Sequence, residues 1–430
     1  MYLAIYGDTT GALVSAGALA SSGHFVALHV PGGRAAFQSS EVPSREPGLN
    51  TLLAEQQAAG TLVVEDMEAP RRPEVSVIWL ALAPAQFELA YNIVARLQPR
   101  SDAPWLVVNQ STFPVGSSEA LQDVLTEAVG EGDDAVLCLP DLLVEGAALA
   151  GFTRAEHWLA GSSSFWAQRM LAEILRPFNR RRDNIMWMTT REAEFTKLAI
   201  SGMLATRLSF MNDMANLADT LGVDIENVRQ GMGADQRIGA AYLYPGCGFG
   251  GPAFSRDVLS LARELQRSGM QSELLNQVWR INERQKEVLF HKLWQHYDAN
   301  LQGRRVALWG AAFKPGTARI DNAPSLRLIQ ALWAQGVEVH VHDPKAMAAL
   351  SGWAKEQGQA QALFLHDDPY DALQQADALL LVTEWKSYWS PDFSRMARLM
   401  RHGVLLDGRN IWDPEFVKER GFIYHGIGRH

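Results

Sequence analysis

Cysteine is scarce in this chain: Cys138 and Cys247 are the only two in 430 residues. Two thiols cannot build a disulfide framework, and their wide separation lacks the close spacing of zinc ligands. Long hydrophobic runs are missing too, since none approaches the roughly 20 residues needed to cross a bilayer. There is no basic excess: 39 Lys and Arg stand against 48 Asp and Glu, a net charge of −9 that argues against a dedicated nucleic-acid binder. No basic segment precedes the first apolar stretch, and Asp8 interrupts that stretch, so no secretory signal is expected. The 11 histidines are scattered without metal-ligand spacing, and no metal is expected. What remains is an ordinary globular composition, 47% hydrophobic and 20% charged. A soluble protein of a reducing compartment, the cytoplasm, is expected. At about 150 residues per domain, the length accommodates two or three domains.

The first 30 residues carry a βαβ pattern. Tyr2–Tyr6 is an apolar strand candidate running into Gly7-Asp8-Thr9-Thr10-Gly11. A helix of small residues, Ala12 to Ser22, closes at Gly23, and a second strand follows at Phe25–Val30 before Pro31-Gly32-Gly33. Further buried-strand candidates lie at Val75–Leu82, Trp105–Asn109 and Ala135–Leu139. Continuous apolar runs alternating with helices indicate a parallel sheet covered on both faces. From about Glu192 to Tyr297 the strand signal disappears and apolar residues recur at helical spacing, interrupted by the glycine-rich loop Tyr244–Pro252. The α/β pattern then resumes. Strands are expected at Arg305–Gly310, Val337–Pro344, Ala378–Val382 and Val404–Leu406, with a helix around Ser325–Gln335. The fold class predicted is α/β: two Rossmann-like, doubly wound parallel-sheet domains joined by a helical central domain. The corresponding spans are 1–191, 192–300 and 301–430.

At this point a set of motifs is recognisable. They include Glu46-Pro47-Gly48-Leu49, Ser111–Gly116, Pro140–Gly146, Lys197-Leu198-Ala199 and Asp235–Gly239. The glycine loop running into Phe254-Ser255-Arg256-Asp257, then Phe313–Thr317, Thr383-Glu384-Trp385, Asp407–Asn410 and Gly426–Arg429, complete the series. In this order and approximate spacing they resemble the UDP-glucose/GDP-mannose dehydrogenase family nearly end to end. The resemblance implies oxidation of a nucleotide sugar's C6 hydroxyl to a carboxylate in two hydride transfers to NAD. A cysteine nucleophile carries the aldehyde through to a thioester, because an aldehyde yields a second hydride only once a nucleophile makes its carbon tetrahedral.

Carried over residue by residue, the resemblance assigns catalytic positions to Lys197, Asp257, Asp141 and Thr112. It places the nucleotide sugar, UDP-glucose first, against Leu142, Leu143, Ser201, Phe249, Gly250, Phe313, Lys314 and Arg409. Arg237 matches an arginine that reaches into a neighbouring subunit's pocket, which implies a homodimer built on the central helices. The cofactor positions are Gly7, Thr9, Ala12, Val30, Ala83, Glu145, Arg256 and Asp321.

Several of these positions depart from the family's pattern. Thr9 and Ala12 stand where the glycine fingerprint has glycines, and Val30 stands where an aspartate should accept from the adenosine ribose. Ala83 replaces a threonine, Asp321 an arginine, Ser201 an asparagine, Asp141 a glutamate and Arg256 a lysine. Ala253 occupies the position of the cysteine nucleophile, and a methyl group cannot attack an aldehyde. Cys247 and Ser255 lie on the same loop as candidate stand-ins, although Cys247 also reads as a small buried apolar residue. The reading preferred from the residues is a family member that binds a nucleotide sugar with its NAD-dependent oxidation impaired or lost. The alternatives are an active dehydrogenase making the uronate and a single-step NAD-dependent oxidoreductase.

Overall fold

Short runs of fully buried aliphatic residues carry the sheets. This computed structural model describes residues 1–40, 42, 46–101, 103–179 and 184–430. The chain folds as two units, Met1–Ala199 and Ile200–His430.

The first unit holds strands β1 (Tyr2–Tyr6), β2 (Phe25–Val30), β3 (Leu62–Asp66), β4 (Val77–Leu80), β5 (Leu106–Asn109), β6 (Ala135–Cys138), β7 (Trp158–Gly161) and β8 (Ile185–Met188). Their spatial order is β3-β2-β1-β4-β5-β6-β7-β8. Neighbours run parallel except β6 and β7, which meet antiparallel at Cys138 and Gly161. Along β1, alternate side chains enter opposite layers. Leu3 and Ile5 join a core with Leu13, Leu28 and Trp79, whereas Ala4 and Tyr6 join one with Ile78, Leu80 and Val107. Strand order reverses on the two sides of β1, the switch point at which doubly wound sheets bind ligands.

Helix α1 (Thr10–Ser21) is buried from Gly11 to Ala20, so it shows no polar face. Its residues are small because neighbours press in: a Cβ at Gly17 would stand 3.0 Å from Leu52. Helix α2 (Gly33–Ser39) follows β2.

The second unit's sheet has β9 (Arg305–Trp309), β10 (Glu338–His342), β11 (Leu363–Leu365), β12 (Ala378–Leu381), β13 (Val404–Asp407) and β14 (Ile423–His425). The order is β11-β10-β9-β12-β13-β14, parallel throughout. Before it come helices Ile225–Ala234, Pro252–Arg267, Glu273–Gln285 and Val288–His296, and the long helix Thr190–Leu221 leads into them from the first unit. The predicted α/β class, two parallel sheets separated by a helical region, is what the chain adopts.

Both sheets turn out of their first strand on a glycine that no other residue could replace. Gly7 has φ +133° and Gly310 φ +90°. An added Cβ would lie 2.3 Å from the Ala81 carbonyl oxygen at Gly7, and 2.4 Å from the Thr383 Cβ at Gly310. Each glycine thus lets the first strand's exit pass directly against the strand beside it.

Candidate functional site

In the first unit the turn between β1 and α1 is braced by Thr9. Its hydroxyl donates to the Ala81 carbonyl at 2.8 Å and accepts from the Ala12 amide at 3.2 Å, so Thr9 is the N-cap of α1. The branched side chain expected to crowd an approaching phosphate is therefore tied into the turn. Ala12 is wholly buried. Asp141 comes up to the start of α1: its Oδ2 lies 2.8 Å from where a Gly11 Cβ would stand. Its Oδ1 accepts from the Leu143 amide at 2.9 Å. The loop carrying Leu142, Leu143 and Glu145 is further held by Glu46, whose carboxylate accepts from the Gly146 and Leu149 amides at 2.7 and 3.3 Å.

Val30, at the end of β2, is 2% exposed and packs in the core, so it presents no acceptor. The Ala83 amide donates to Gln86 Oε1 at 2.9 Å. Half-buried Thr112 follows Ser111, which bridges Leu80 and Leu82 through its hydroxyl. Lys197 is half-buried on the long helix. Three residues before it, buried Glu194 accepts from the Gly116 and Ser118 amides at 2.6 and 2.8 Å, and burial holds its carboxyl above the usual range.

The turn fits the pyrophosphate of a dinucleotide. Gly7 admits backbone where a Cβ would collide, and α1 begins there with several unpaired amides, of which Thr9 satisfies one. At the end of β2 the apolar Val30, 2% exposed, offers no hydrogen-bond acceptor.

In the second unit the glycine loop is clamped from three sides. Asn282 pairs with both backbone groups of Phe249, Lys286 packs its stem against Gly248, and the Gly251 amide donates to the Asp321 carbonyl at 2.8 Å. At Gly250 a Cβ would meet the Asn322 carbonyl oxygen at 2.5 Å, and at Gly251 the Phe313 ring at 2.7 Å. Phe249, Gly250 and Phe313 are thus brought together, with Lys314 placing its ammonium 5.6 Å from the Phe313 ring centroid.

Ser201, one turn beyond Lys197 on the same helix, donates to Asp257 Oδ2 at 3.2 Å. The other oxygen of that buried carboxylate accepts from Arg256 at 3.0 Å. Asn322 ties this helix down by donating to Ser255 Oγ at 2.9 Å while accepting from Lys286 Nζ at 2.7 Å. Lys286 is fully buried and also meets Glu283 at 2.6 Å; desolvation pulls its ammonium pKa down. Asn282, Lys286 and Asn322 were not singled out from the sequence.

Asp321 is paired with Arg319 through both carboxylate oxygens, at 2.9 and 3.1 Å, so the charge expected to face a cofactor is countered two residues away. Arg409 donates to the Val382 carbonyl at 2.7 Å and pairs with Glu384 at 3.2 Å. Arg237 stands apart on an outer turn, 89% exposed and paired with Asp235.

Ala253 occupies the exposed first turn of the helix Pro252–Arg267. Neither thiol takes its place. Cys247 is 1% exposed, with its sulfur 3.7 Å from the Val382 carbonyl oxygen and 3.0 Å from where a Gly408 Cβ would stand. Cys138, also 1% exposed, ends β6. Burial pushes both thiols up, away from the reactive thiolate. Among the described residues no cluster of three metal-ligating side chains occurs, and no helix is long and apolar enough to cross a membrane.

Two doubly wound sheets, each with a glycine turn at its switch point, define a nucleotide-binding α/β protein. Family profiles match three stretches: the UDP-glucose/GDP-mannose dehydrogenase NAD binding domain over residues 13–179, the central domain over 191–284, and the UDP binding domain over 307–414. A UDP-glucose 6-dehydrogenase of Pseudomonas aeruginosa is 40% identical over 406 residues, covering 92% of this chain and 90% of that protein. One from Rhizobium meliloti is 29% identical over 97% of both. A UDP-glucose dehydrogenase structure from Pyrobaculum islandicum superposes with a TM-score of 0.84 at 26% identity, over 100% of this chain and 98% of that one. The chain belongs to the UDP-glucose/GDP-mannose dehydrogenase family.

Proposed function

We propose that this chain is a nicotinamide-dinucleotide-dependent oxidoreductase acting on the C6 hydroxyl of a nucleotide sugar, UDP-glucose first, and that it works without a covalent thioester. The observation that carries this reading is the thiol inventory: Ala253 stands on the exposed helix turn, and both cysteines are sealed in packed interiors.

Oxidising the alcohol to an aldehyde needs no sulfur. A bound dinucleotide supplies the hydride acceptor. The chain's task is to hold the hydroxyl oxygen and receive its proton. We assign this to Lys197; Asp257 is assigned as a second catalytic group, its buried carboxylate fixed by Ser201 and Arg256. Going on to the acid requires C6 to become tetrahedral again. With a methyl group at 253, both thiols buried, and Ser255 buried with its hydroxyl held by Asn322, water is the nucleophile assigned to add, losing one proton to a base. Phe249, Gly250 and Phe313 are assigned to the sugar nucleotide, with Lys314 and Arg409 countering its diphosphate.

A homodimer is part of this reading. The long helix exposes Met203, Phe210 and Leu217 at seven-residue spacing, an apolar stripe suited to a second copy, and Arg237 is free of the protomer's own interior. In this reading the chain divides functionally into 1–191, 192–300 and 301–430, following the alternation of α/β and helical sequence patterns.

The test is stoichiometry. UDP-glucose and dinucleotide are mixed with the protein, and reduced dinucleotide is counted per sugar consumed. One equivalent marks arrest at the aldehyde, and two mark hydration and a second oxidation. A second reading, favoured by Val30, is a nucleotide-sugar-binding protein without turnover. It predicts a UDP-glucose-dependent rise in melting temperature and no reduced dinucleotide.

A further inference from the structure

The residues at the end of β2 do not suit the ribose of NAD. We infer that the dinucleotide this chain selects carries a 2′-phosphate on its adenosine ribose, and that Arg34 is the residue that reads it. The inference rests on the oxidoreductase reading, because it takes the β1–α1 turn as a dinucleotide cleft.

In a doubly wound sheet, the residue ending the second strand lies beside the adenosine ribose. A carboxylate there accepts from the 2′-hydroxyl, and it also repels a 2′-phosphate. Here that residue is Val30, buried in the core and without an acceptor. Removing the carboxylate takes away both the bond to the diol and the repulsion. The chain then turns through Pro31, Gly32 and Gly33, with φ of +73° and +59° at the two glycines. Two glycines in the left-handed region keep bulk out of the turn and deliver Arg34, the second residue of α2.

Arg34 is exposed, and no hydrogen bond or ion pair to another described residue involves it. Asp66, at the end of β3 and in register with Val30, accepts from the Glu68 amide at Oδ1. Arg71 is committed to the Ile93 and Arg96 carbonyls. Among the described residues Arg34 is thus an uncommitted cation directly after this turn, and a guanidinium matches a phosphate with paired donors.

The experiment is calorimetry on the full-length protein with NADP⁺, NAD⁺ and 2′,5′-ADP, with UDP-glucose binding as the check that each preparation is folded. NADP⁺ is expected to bind at least about tenfold more tightly than NAD⁺, and 2′,5′-ADP to compete with it. Arg34→Ala should bring NADP⁺ affinity down to that of NAD⁺, and Val30→Asp should reverse the preference. NAD⁺ binding as tightly as NADP⁺, or more tightly, overturns the assignment of Arg34 and leaves the oxidoreductase reading standing. If neither dinucleotide binds while UDP-glucose does, both fall together.

Discussion

Asn282 grips Phe249 by both of its backbone groups: the Phe249 amide donates to Oδ1 at 2.8 Å, and Nδ2 donates to the Phe249 carbonyl at 3.0 Å. Both residues are buried, so the pair satisfies four polar groups that would otherwise be stranded in the interior. This side chain does for the glycine loop what a partner strand does for a strand.

Asn282→Leu should therefore cost about 2–4 kcal/mol, since the two Phe249 backbone groups lose partners without gaining water. Denaturant unfolding would give the stability loss. UDP-glucose affinity measured below the transition should fall as well, because the loop carries Phe249 and Gly250. A variant with unchanged stability would show that the loop is held elsewhere.

Ala253→Cys places a thiol on the exposed first turn of a helix, where the backbone amides favour a thiolate. Stability should change by less than about 0.5 kcal/mol, as for other exposed sites. If the native protein stops at one reduced dinucleotide per sugar, this variant should approach two, with uronate as the product. An unchanged ratio would mean that position 253 does not face C6.

His340 gives the fold a pH dependence. Burial, with Arg305 and neighbouring His366 acting in the same direction, pushes its imidazole down to about 4. Glu338 opposes this weakly from the same strand. Because the folded pKa lies below the unfolded one, near 6.5, the neutral ring's contribution is complete above about pH 6.5 and is lost as pH falls towards 4. The slope is about 1.4 kcal/mol per pH unit at most for this one group. Melting temperature measured between pH 7 and pH 4.5 should fall, and His340→Asn should flatten part of that decline. A parallel decline in the variant would exonerate His340.

The sequence made the centre of each sheet legible and left the edges obscure. β1, β2, β9 and β12 are continuous apolar runs ending at glycine or polar turns, and the strands lie within a residue or two of those runs. β11 and β14 are three residues each, and β8 is half-exposed, so none shows a run long enough to stand out. At the site, the glycine loop was visible because glycine marks close approach. Asn282, Lys286 and Asn322 were not, since an isolated polar residue on a helix or turn looks solvated until tertiary packing buries it. Arg319 was within reach of sequence reasoning: a cation two residues from Asp321 neutralises the charge that looked misplaced.

The most direct measurement of thiol-independent oxidation is the intact mass of the protein during reaction with UDP-glucose and dinucleotide, followed alongside the absorbance of reduced dinucleotide. The account predicts that reduced dinucleotide accumulates while the protein keeps its unmodified mass. A sugar-nucleotide adduct on Cys247, or no reduced dinucleotide at all, would contradict it.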